Sequence, residues 1–399
     1  MHLATVALLV ILNGGVPAPD RDALTLEATL AEATAQAPGI AETQAREALA
    51  RGEVEVARTL PPLTLGLGGG GNDPRWSAGV SQKLPVPGSR AARIQAAEQG
   101  VLSAEAERRA RATQARADAR KAYFSLVRAR QLVDTATRAV TLARQSEEAA
   151  RLRFETGAAP ELDLVQARLA RASAEAQLLT QQGEVAALSA ELALFLGRDP
   201  RRALEPVNTA PPRLLSLEDV LARAAQAPLA QARAADVTAA EATLRAARRE
   251  RWPSPTVGVS VEGEGPRGAN AFLRGALDFD VPLWGRGEVD RAEASIRVAH
   301  ALAEEDRRRR VAEIVAAHER LAAALAALER FSADILPAAE TAERMALESY
   351  RAGRTALVSL NDARRAATET RVQAIEAAFN AQTAFAALEL AAGIALDEK

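Results

Sequence analysis

The chain has 399 residues, of which 48% are hydrophobic but only 3% aromatic, and its formal net charge is −2 with a pI of about 6.1. So few aromatic side chains are poor material for ordinary globular cores, whereas alanine-rich helices can pack closely. The near-neutral charge gives no basic footprint for nucleic acid. The absence of cysteine excludes disulfides, thiolate metal sites and a lipid-modified N-terminal cysteine.

The N-terminus begins with a short apolar run. Residues 4–12 read ATVALLVIL, and small residues follow as far as Ala18. This run is too short to span a bilayer as a helix, and it predicts a secretory signal peptide over residues 1–18. No lysine or arginine precedes it, so a buried N-terminal strand is the alternative.

The first half of the chain, residues 19–210, predicts a helix, a hairpin and a pair of long helices. Residues 24–58 read as helix with a break at Pro38-Gly39. Leucines then alternate with small residues from Leu63, and apolar residues alternate with polar ones from Trp76, which predicts a hairpin over about 62–85. A helix over about 89–156 follows, because residues 101–156 contain no glycine or proline.

A return helix is predicted over about 161–196, after a turn at Gly157 and Pro160. Its apolar stripe has alternating spacings of three and four residues, which is typical of a coiled-coil seam. The stripe consists of Leu162, Val165, Leu169, Ala172, Ala176 and Leu179.

Residues 211–399 repeat this plan. The run LPVPGSR from Leu84 lies over VPLWGRG from Val281, an offset of 197 residues. FETG from Phe154 lies over YRAG from Tyr350, and 188–197 lies over 384–393. The second half predicts a hairpin over about 255–282 and helices over about 288–351 and 356–392, with a kink at Pro337. The chain is therefore one structural unit used twice.

The hairpins have features of membrane strands. Each strand is about ten residues long, which is the length that a tilted strand needs to cross hydrocarbon. Trp76, Trp252 and Trp284 all sit at hairpin ends, where aromatic girdles meet the membrane interfaces. The alternative is two surface hairpins on a soluble helical protein. Four strands cannot close a barrel in lipid, so membrane hairpins require several copies. Two copies would give a filled eight-stranded barrel, and three would give twelve strands and a lumen.

Catalytic and ligand-binding patterns are weak. Residues 66–71 satisfy GxGxxG, but Asn72-Asp73-Pro74 follows instead of a helix start, so the nucleotide-binding interpretation fails its structural context. The only histidines are His2, His300 and His318, none in a metal-binding motif. We therefore expect no catalytic residue, no metal site and no cofactor, and we expect that the protein is not an enzyme.

The paired junctions and turns resemble those of the TolC-type outer-membrane efflux channels, and the likeness covers about residues 24–393. The resemblance implies a mainly α fold with a small β part, in which each chain gives four strands to a trimeric 12-stranded β-barrel continued by an α-helical barrel. It implies a homotrimer in the outer membrane of a Gram-negative-type envelope, extending into the periplasm. Such a channel passively conducts substrates delivered by an inner-membrane efflux pump and a periplasmic adaptor (membrane fusion protein). The transported substrate stays open.

The resemblance also assigns roles at the two helix turns. It implies that they contact the adaptor through Phe154, Gly157, Pro160, Leu162, Tyr350, Gly353, Arg354 and Leu357. It implies a pore constriction at Asp163, Ser359 and Asp362, although the family has two aspartates where this chain has Ser359 and Asp362. A threefold ring of carboxylates in a narrow lumen favours cations. The alternative for Asp163 and Asp362 is a carboxylate that stabilises its own helix N-terminus.

A soluble or periplasmic coiled-coil protein, either structural or the adaptor itself, is the alternative from a different class. An adaptor would need inserted domains rich in strands, and the sequence shows only two hairpins.

Overall fold

A computed structural model describes residues 22–207, 209–264, 268, 270–281, 286–352 and 354–397. The predicted signal peptide, residues 1–18, lies outside the described residues. The elements in chain order are β1 (Asp22–Leu24), α1 (Leu26–Gln36), α2 (Ile40–Arg58), β2 (Leu63–Gly69), β3 (Trp76–Lys83), α3 (Ser89–Glu155), α4 (Glu161–Leu196), β4 (Leu204–Pro206), α5 (Leu217–Ala224), α6 (Pro228–Arg249), β5 (Ser254–Glu264), β6 (Asn270–Asp280), α7 (Arg286–Arg330), α8 (Leu336–Arg351) and α9 (Leu357–Ala392).

The duplication is visible in these bounds. Helices α4 and α9 both have 36 residues, and each is followed by a glycine with positive φ, 62° at Gly197 and 73° at Gly393. The break predicted at Pro38-Gly39 is confirmed, since α1 ends at Gln36 and Gly39 has a φ of 88°. A kink was predicted at Pro337, and the regular α-helix is interrupted just before this residue. One wide turn of π-helix, Phe331–Ile335, separates α7 from α8, and Pro337 lies in the first turn of α8.

The described residues form two compact units. The first draws them from Met1–Glu32, Ala122–Ala210 and Asp334–Phe379. In its core, Tyr123 is fully buried, and its hydroxyl donates to the carbonyls of Leu24, at 3.0 Å, and Val207. Burial raises the pKa of Tyr123, so this hydroxyl keeps its proton. Other core side chains are Phe124, Leu126, Leu192, Leu196 and Leu204.

A small parallel sheet in this unit was not predicted. Strands β1 and β4 pair in register from Asp22 opposite Leu204 to Leu24 opposite Pro206. Leu24 was expected to start a helix, but α1 begins only at Leu26. A three-residue strand shows no period in the sequence, which explains the difference.

The second unit draws its residues from Ala33–Lys121, Pro211–Ala333 and Asn380–Lys399. Its core packs α5, α7, α9 and the segment after α9 together through Val220, Ile314, Leu321, Phe385, Leu388 and Leu396. Ser216 caps α5 by accepting a hydrogen bond from the backbone N–H of Asp219 at 3.2 Å. The unit also holds a four-stranded antiparallel sheet in the order β2-β3-β5-β6.

Within the described part of the chain, no helix combines the length and apolar character needed to cross a membrane. The seam predicted on α4 is not buried within the described chain. Leu162 is 61% exposed, and Leu169 and Leu179 are each 69% exposed. The helix therefore presents an apolar face that its own chain leaves uncovered.

Candidate functional site

The register of the four-stranded sheet places most of the large apolar residues of its strands on one face. Leu65 of β2 pairs with Val80 of β3, Val80 pairs with Val259 of β5, and the next rung joins Ala78 to Val261 and Val261 to Leu273 of β6. Because directly paired residues point to the same side of a sheet, this row is continuous. Leu65, Leu67, Leu273 and Leu277 on this face are each at least 60% exposed.

The opposite face consists mostly of polar and small residues, although Phe272 also lies on it, paired with Glu262. Its rungs include Gly79 with Ser260, and Ser81 with Gly258. The charges on it form ion pairs. Lys83 lies 2.7 Å from Asp280, and Arg274 lies 2.8 Å from Glu262 and 3.5 Å from Glu264. The sheet is therefore amphipathic, with a bare apolar face and a hydrated one.

Trp76 is fixed at the turn end of the sheet. It pairs with Gly263, and its indole Nε1–H donates to the carbonyl of Gly268 at 3.3 Å. A Cβ atom on Gly263 would lie 2.1 Å from Trp76 Nε1, so only glycine leaves room for this ring. Gly268 has a φ of 68°, which also favours glycine.

Of the other two tryptophans predicted at the membrane interface, the structure describes Trp252 but not Trp284. Trp252 is 69% exposed between α6 and β5, and its N–H donates to the carbonyl of Arg249 at 3.0 Å. Trp284 lies outside the described residues.

The outer edges of β2 and β6 are open. In the described residues, β2 pairs only with β3, and β6 pairs only with β5. Exposed strand edges carry unpaired N–H and C=O groups. Such edges need partners, and in lipid the need is absolute.

The turn between α3 and α4 is held by backbone hydrogen bonds. The N–H groups of Ala158 and Ala159 donate to the carbonyl of Arg153 at 2.7 and 3.2 Å, and Gly157 has a φ of 69°. Phe154 and Leu162 are 40% and 61% exposed on either side of this turn. Pro160 stands immediately before α4 in extended conformation. The turn thus offers apolar side chains on a rigid backbone.

The turn between α8 and α9 is anchored differently. Tyr350 is buried against Leu360, and the Arg153 guanidinium lies 5.2 Å from the centre of its ring. Tyr350 therefore joins the two turns instead of offering its ring to solvent. Arg354 is exposed, and its N–H donates to the carbonyl of Ser349 at 2.9 Å. Gly353 and the side chain of Leu357 lie outside the described residues.

The predicted constriction residues are not joined to one another within one chain. Asp163 lies in the first turn of α4, where its N–H donates to the carbonyl of Pro160 at 3.1 Å. Ser359 and Asp362 are exposed on α9. Among the described residues, Asp163 and Asp362 share no hydrogen bond or ion pair. Any ring of these carboxylates must therefore be formed by several copies.

Comparisons with known proteins agree with this geometry. The family model described as "Outer membrane efflux protein" matches residues 29–198. The cobalt-zinc-cadmium resistance protein CzcC of Cupriavidus metallidurans is 25% identical over 307 residues, which cover 74% of this chain and 72% of that protein. Residues 29–198 are therefore similar to the outer membrane efflux protein family, and a relative named for metal resistance aligns with most of the chain.

Solved structures share the fold of this chain. CusC has a TM-score of 0.77 at 20% identity, covering 93% of this chain and 92% of its own. The outer membrane protein VceC from Vibrio cholerae has a TM-score of 0.77 at 19% identity, covering 93% and 97%. The TolC-type fold is thereby confirmed, a mainly α architecture with a small β part.

The same family decides between the two functions that the sequence left open. It is a family of efflux channels and not of enzymes, so the channel interpretation is confirmed over the soluble coiled-coil or adaptor alternative. Sequence reasoning missed Arg153, which contacts Tyr350, and the ion pairs of Lys83 and Arg274. Alternation puts Lys83 and Asp280 on the polar sides of their own strands, but it does not show that the two side chains pair.

Proposed function

We propose that this protein is an outer-membrane efflux channel that works as a homotrimer in the outer membrane of a Gram-negative-type envelope and extends into the periplasm. It passively conducts cargo that an inner-membrane pump delivers through a periplasmic adaptor. The observation that carries this proposal is the register of the sheet, which gathers most of its large apolar side chains on one face and leaves two open edges.

The need for further copies follows from the sheet. An exposed apolar face is stable against lipid, but a sheet edge in lipid must be paired. Pairing β6 of one copy with β2 of the next closes a cylinder. Three copies supply twelve strands, which enclose a lumen, whereas eight strands from two copies would be filled by side chains. A conduit therefore favours the trimer.

Helix α4 supplies a second contact surface for the neighbouring copy. Leu162, Val165, Leu169 and Leu179 are each more than half exposed, in contrast to Leu164 and Ala167 on the buried side of the same helix. Covering one such leucine is worth roughly 1.5–3 kcal/mol. We assign this stripe to packing between subunits.

The two helix turns are the surfaces proposed for the adaptor. Phe154 and Leu162 offer apolar contacts, Gly157 and Pro160 fix the backbone, and Arg354 adds an exposed cation. Tyr350 does not form part of this surface, because its side chain is buried against Leu360. For Gly353, we expect that a bulky residue weakens coupling to the adaptor and leaves trimer assembly intact.

The cargo that we propose is divalent metal cations. CzcC is named for resistance to cobalt, zinc and cadmium, and it aligns with three quarters of this chain.

Membrane fractionation and conductance together test the proposal. The full-length protein should extract with outer membranes as a heat-sensitive trimer, and the purified trimer should form conducting pores in planar bilayers. A monomer that stays in the soluble periplasmic fraction would contradict the proposal and restore the coiled-coil alternative.

A further inference from the structure

A cavity of about 210 Å³ lies between helices of the second unit. Thr113 and Gln114 of α3 line it, together with Leu229 of α6, Arg310 of α7 and Leu390 near the end of α9. Because a space of ~10–15 Å³ is enough for one water molecule, this cavity has room for a small polyatomic ion together with some water.

Arg310 lies on the buried side of α7. Ile314, Ala317 and Leu321 share its helix face, and they are 1%, 4% and 0% exposed. Arg307, on another side of the same helix, is 72% exposed. Arg310 itself is partly buried. The helix therefore directs this guanidinium into the cavity and not to open solvent.

The other charged groups around the cavity are paired with one another. Asp306 is 9% exposed and accepts hydrogen bonds from Arg233 at 2.5 Å and from Arg309 at 3.0 Å. Glu313 lies 3.7 Å from Arg309. Arg310 has no hydrogen bond or ion pair with any residue that the structure describes. The five N–H donors of its guanidinium therefore lack an acceptor from this part of the chain.

The two arginines also differ in pKa. The hydrogen bond with Asp306 raises the pKa of Arg233. Burial lowers the pKa of Arg310, and the nearby carboxylates of Asp306 and Glu313 offset this effect only in part. Arg310 thus bears the cost of burial without a hydrogen bond to compensate it, and an anion that brings oxygen atoms would supply one.

We propose that this cavity binds a small tetrahedral oxyanion, such as inorganic phosphate, with the Arg310 guanidinium as its main ligand. A guanidinium presents paired N–H donors that match the spacing of phosphate oxygens. An anion held here joins α7 to α3 and to the end of α9. All the walls belong to one chain, so the site does not depend on the proposed channel function.

The position of the cavity favours a free ion over a lipid headgroup. Helix α7 begins at Arg286, close after the last strand of the sheet, and Arg310 lies about 36 Å further along the helix at ~1.5 Å per residue. With the sheet in the outer membrane, a lipid phosphate does not reach this depth.

Isothermal titration calorimetry of the detergent-purified, full-length protein tests the inference. Inorganic phosphate is titrated in at constant ionic strength, with chloride as the balancing anion. We expect saturable binding of phosphate to the wild type. Arg310→Gln should weaken it by roughly tenfold or more, because it removes a charge-assisted hydrogen bond. Arg310→Lys keeps the charge without the fork, so its affinity should fall between the two.

Two further variants complete the design. Glu313→Gln removes a carboxylate from the cavity wall and should tighten phosphate binding. Arg297→Gln is the matched control. Arg297 is exposed on the same helix and also has no hydrogen bond or ion pair among the described residues, so its loss should leave the affinity unchanged.

The outcomes decide between the possible causes. Absence of saturable binding to the wild type, or equal affinities for the wild type and Arg310→Gln, would overturn the site. If Arg310→Gln does not fold, the wild type and Arg310→Lys still decide. Dihexanoyl phosphatidic acid that binds more tightly than phosphate would assign the cavity to a lipid headgroup and overturn the free-ion proposal. A wild type that binds phosphate but forms no pores would contradict the proposed function alone.

Discussion

Arg120 Nε lies 3.1 Å from a carboxylate oxygen of Glu389, and only 3% and 1% of these two side chains are exposed. The Arg120 guanidinium also lies 4.8 Å from the centre of the Phe385 ring and contacts Asp397. The N–H of Leu396 donates to Glu389 at 3.0 Å. This buried network joins α3 and α9 to the residues that follow α9.

Replacing one partner of this network should be costly. Arg120→Met leaves Glu389 buried without its nearest cation, and we expect a loss of about 3–5 kcal/mol in the free energy of unfolding. The double variant Arg120→Met, Glu389→Met should recover much of that loss, because no isolated charge remains. Denaturant unfolding of the detergent-purified protein measures both. As a control, Arg46→Met breaks an exposed pair with Glu42 and should cost less than about 1 kcal/mol. Equal costs at Arg120 and Arg46 would contradict the role of burial.

The same network predicts a pH dependence. Burial raises the pKa of the Glu389 carboxyl, although Arg120 lowers it in part. Because the folded pKa exceeds the unfolded value of about 4.3, the stability gained by protonation is present at acid pH and is lost as the pH rises through the folded pKa.

The pKa of Asp397 is shifted in the opposite direction, so its effect on stability appears in a lower pH range. Burial acts to raise its pKa, but Arg120 and Arg116 outweigh burial and lower it. Its stabilising effect is therefore lost only as the pH falls below about 3.9. Above about pH 4.5, the melting temperature of the wild type should fall as the pH rises. In Glu389→Gln, which has no carboxyl to ionise at this position, this fall should be absent. Parallel melting-temperature profiles of the two proteins in this range would rule the assignment out.

How much of this architecture the sequence could predict depends on the length of each pattern. Long patterns were enough to predict the helices α3, α4 and α9, and the alternation of Leu63, Leu65 and Leu67 was enough to predict strand β2. The pairing of β1 with β4 involves three residues on each strand and has no periodic signal. The register between strands could not be predicted either. Alternation shows which residues share a face of one strand, but not which residues pair across strands. The ion pair of Lys83 with Asp280 and the fit of Trp76 over Gly263 depend on that pairing.

Gly263 should be intolerant of any side chain. Its Cβ would lie 2.1 Å from Trp76 Nε1, so Gly263→Ala must displace the ring and should cost about 1–3 kcal/mol. Gly275→Ala is the matched control, since Gly275 lies on the same face with nothing within 4 Å of its Cβ. Tryptophan fluorescence and thermal melting of the trimer report the change. In a Trp76→Ala background, Gly263→Ala should cost little more, and full additivity would show that the ring is not the cause.

Leu169 should be required for the trimer to form. It is 69% exposed in the middle of the α4 stripe, so Leu169→Glu adds a charge where we propose that a second copy packs. We expect a strong loss of trimer in native mass spectrometry, with the helical content of the chain retained. Gln166→Glu adds the same charge to an exposed site on the same helix outside the stripe and should leave the trimer intact. If both variants assemble normally, the stripe has another role.

Gly157 should be sensitive for a different reason from Gly263. It has a φ of 69° and nothing within 4 Å of its Cβ, so Gly157→Ala meets no steric clash but forces alanine into the left-handed region, at about 1–2 kcal/mol. Gly183→Ala, in the interior of α4 and equally uncrowded, should instead stabilise the chain by about 0.5–1 kcal/mol. Denaturant midpoints of the two variants should therefore move in opposite directions. A shift of both in the same direction would mean that the turn at Gly157 rearranges without strain, and that its backbone is not the rigid element on which the proposed adaptor surface depends.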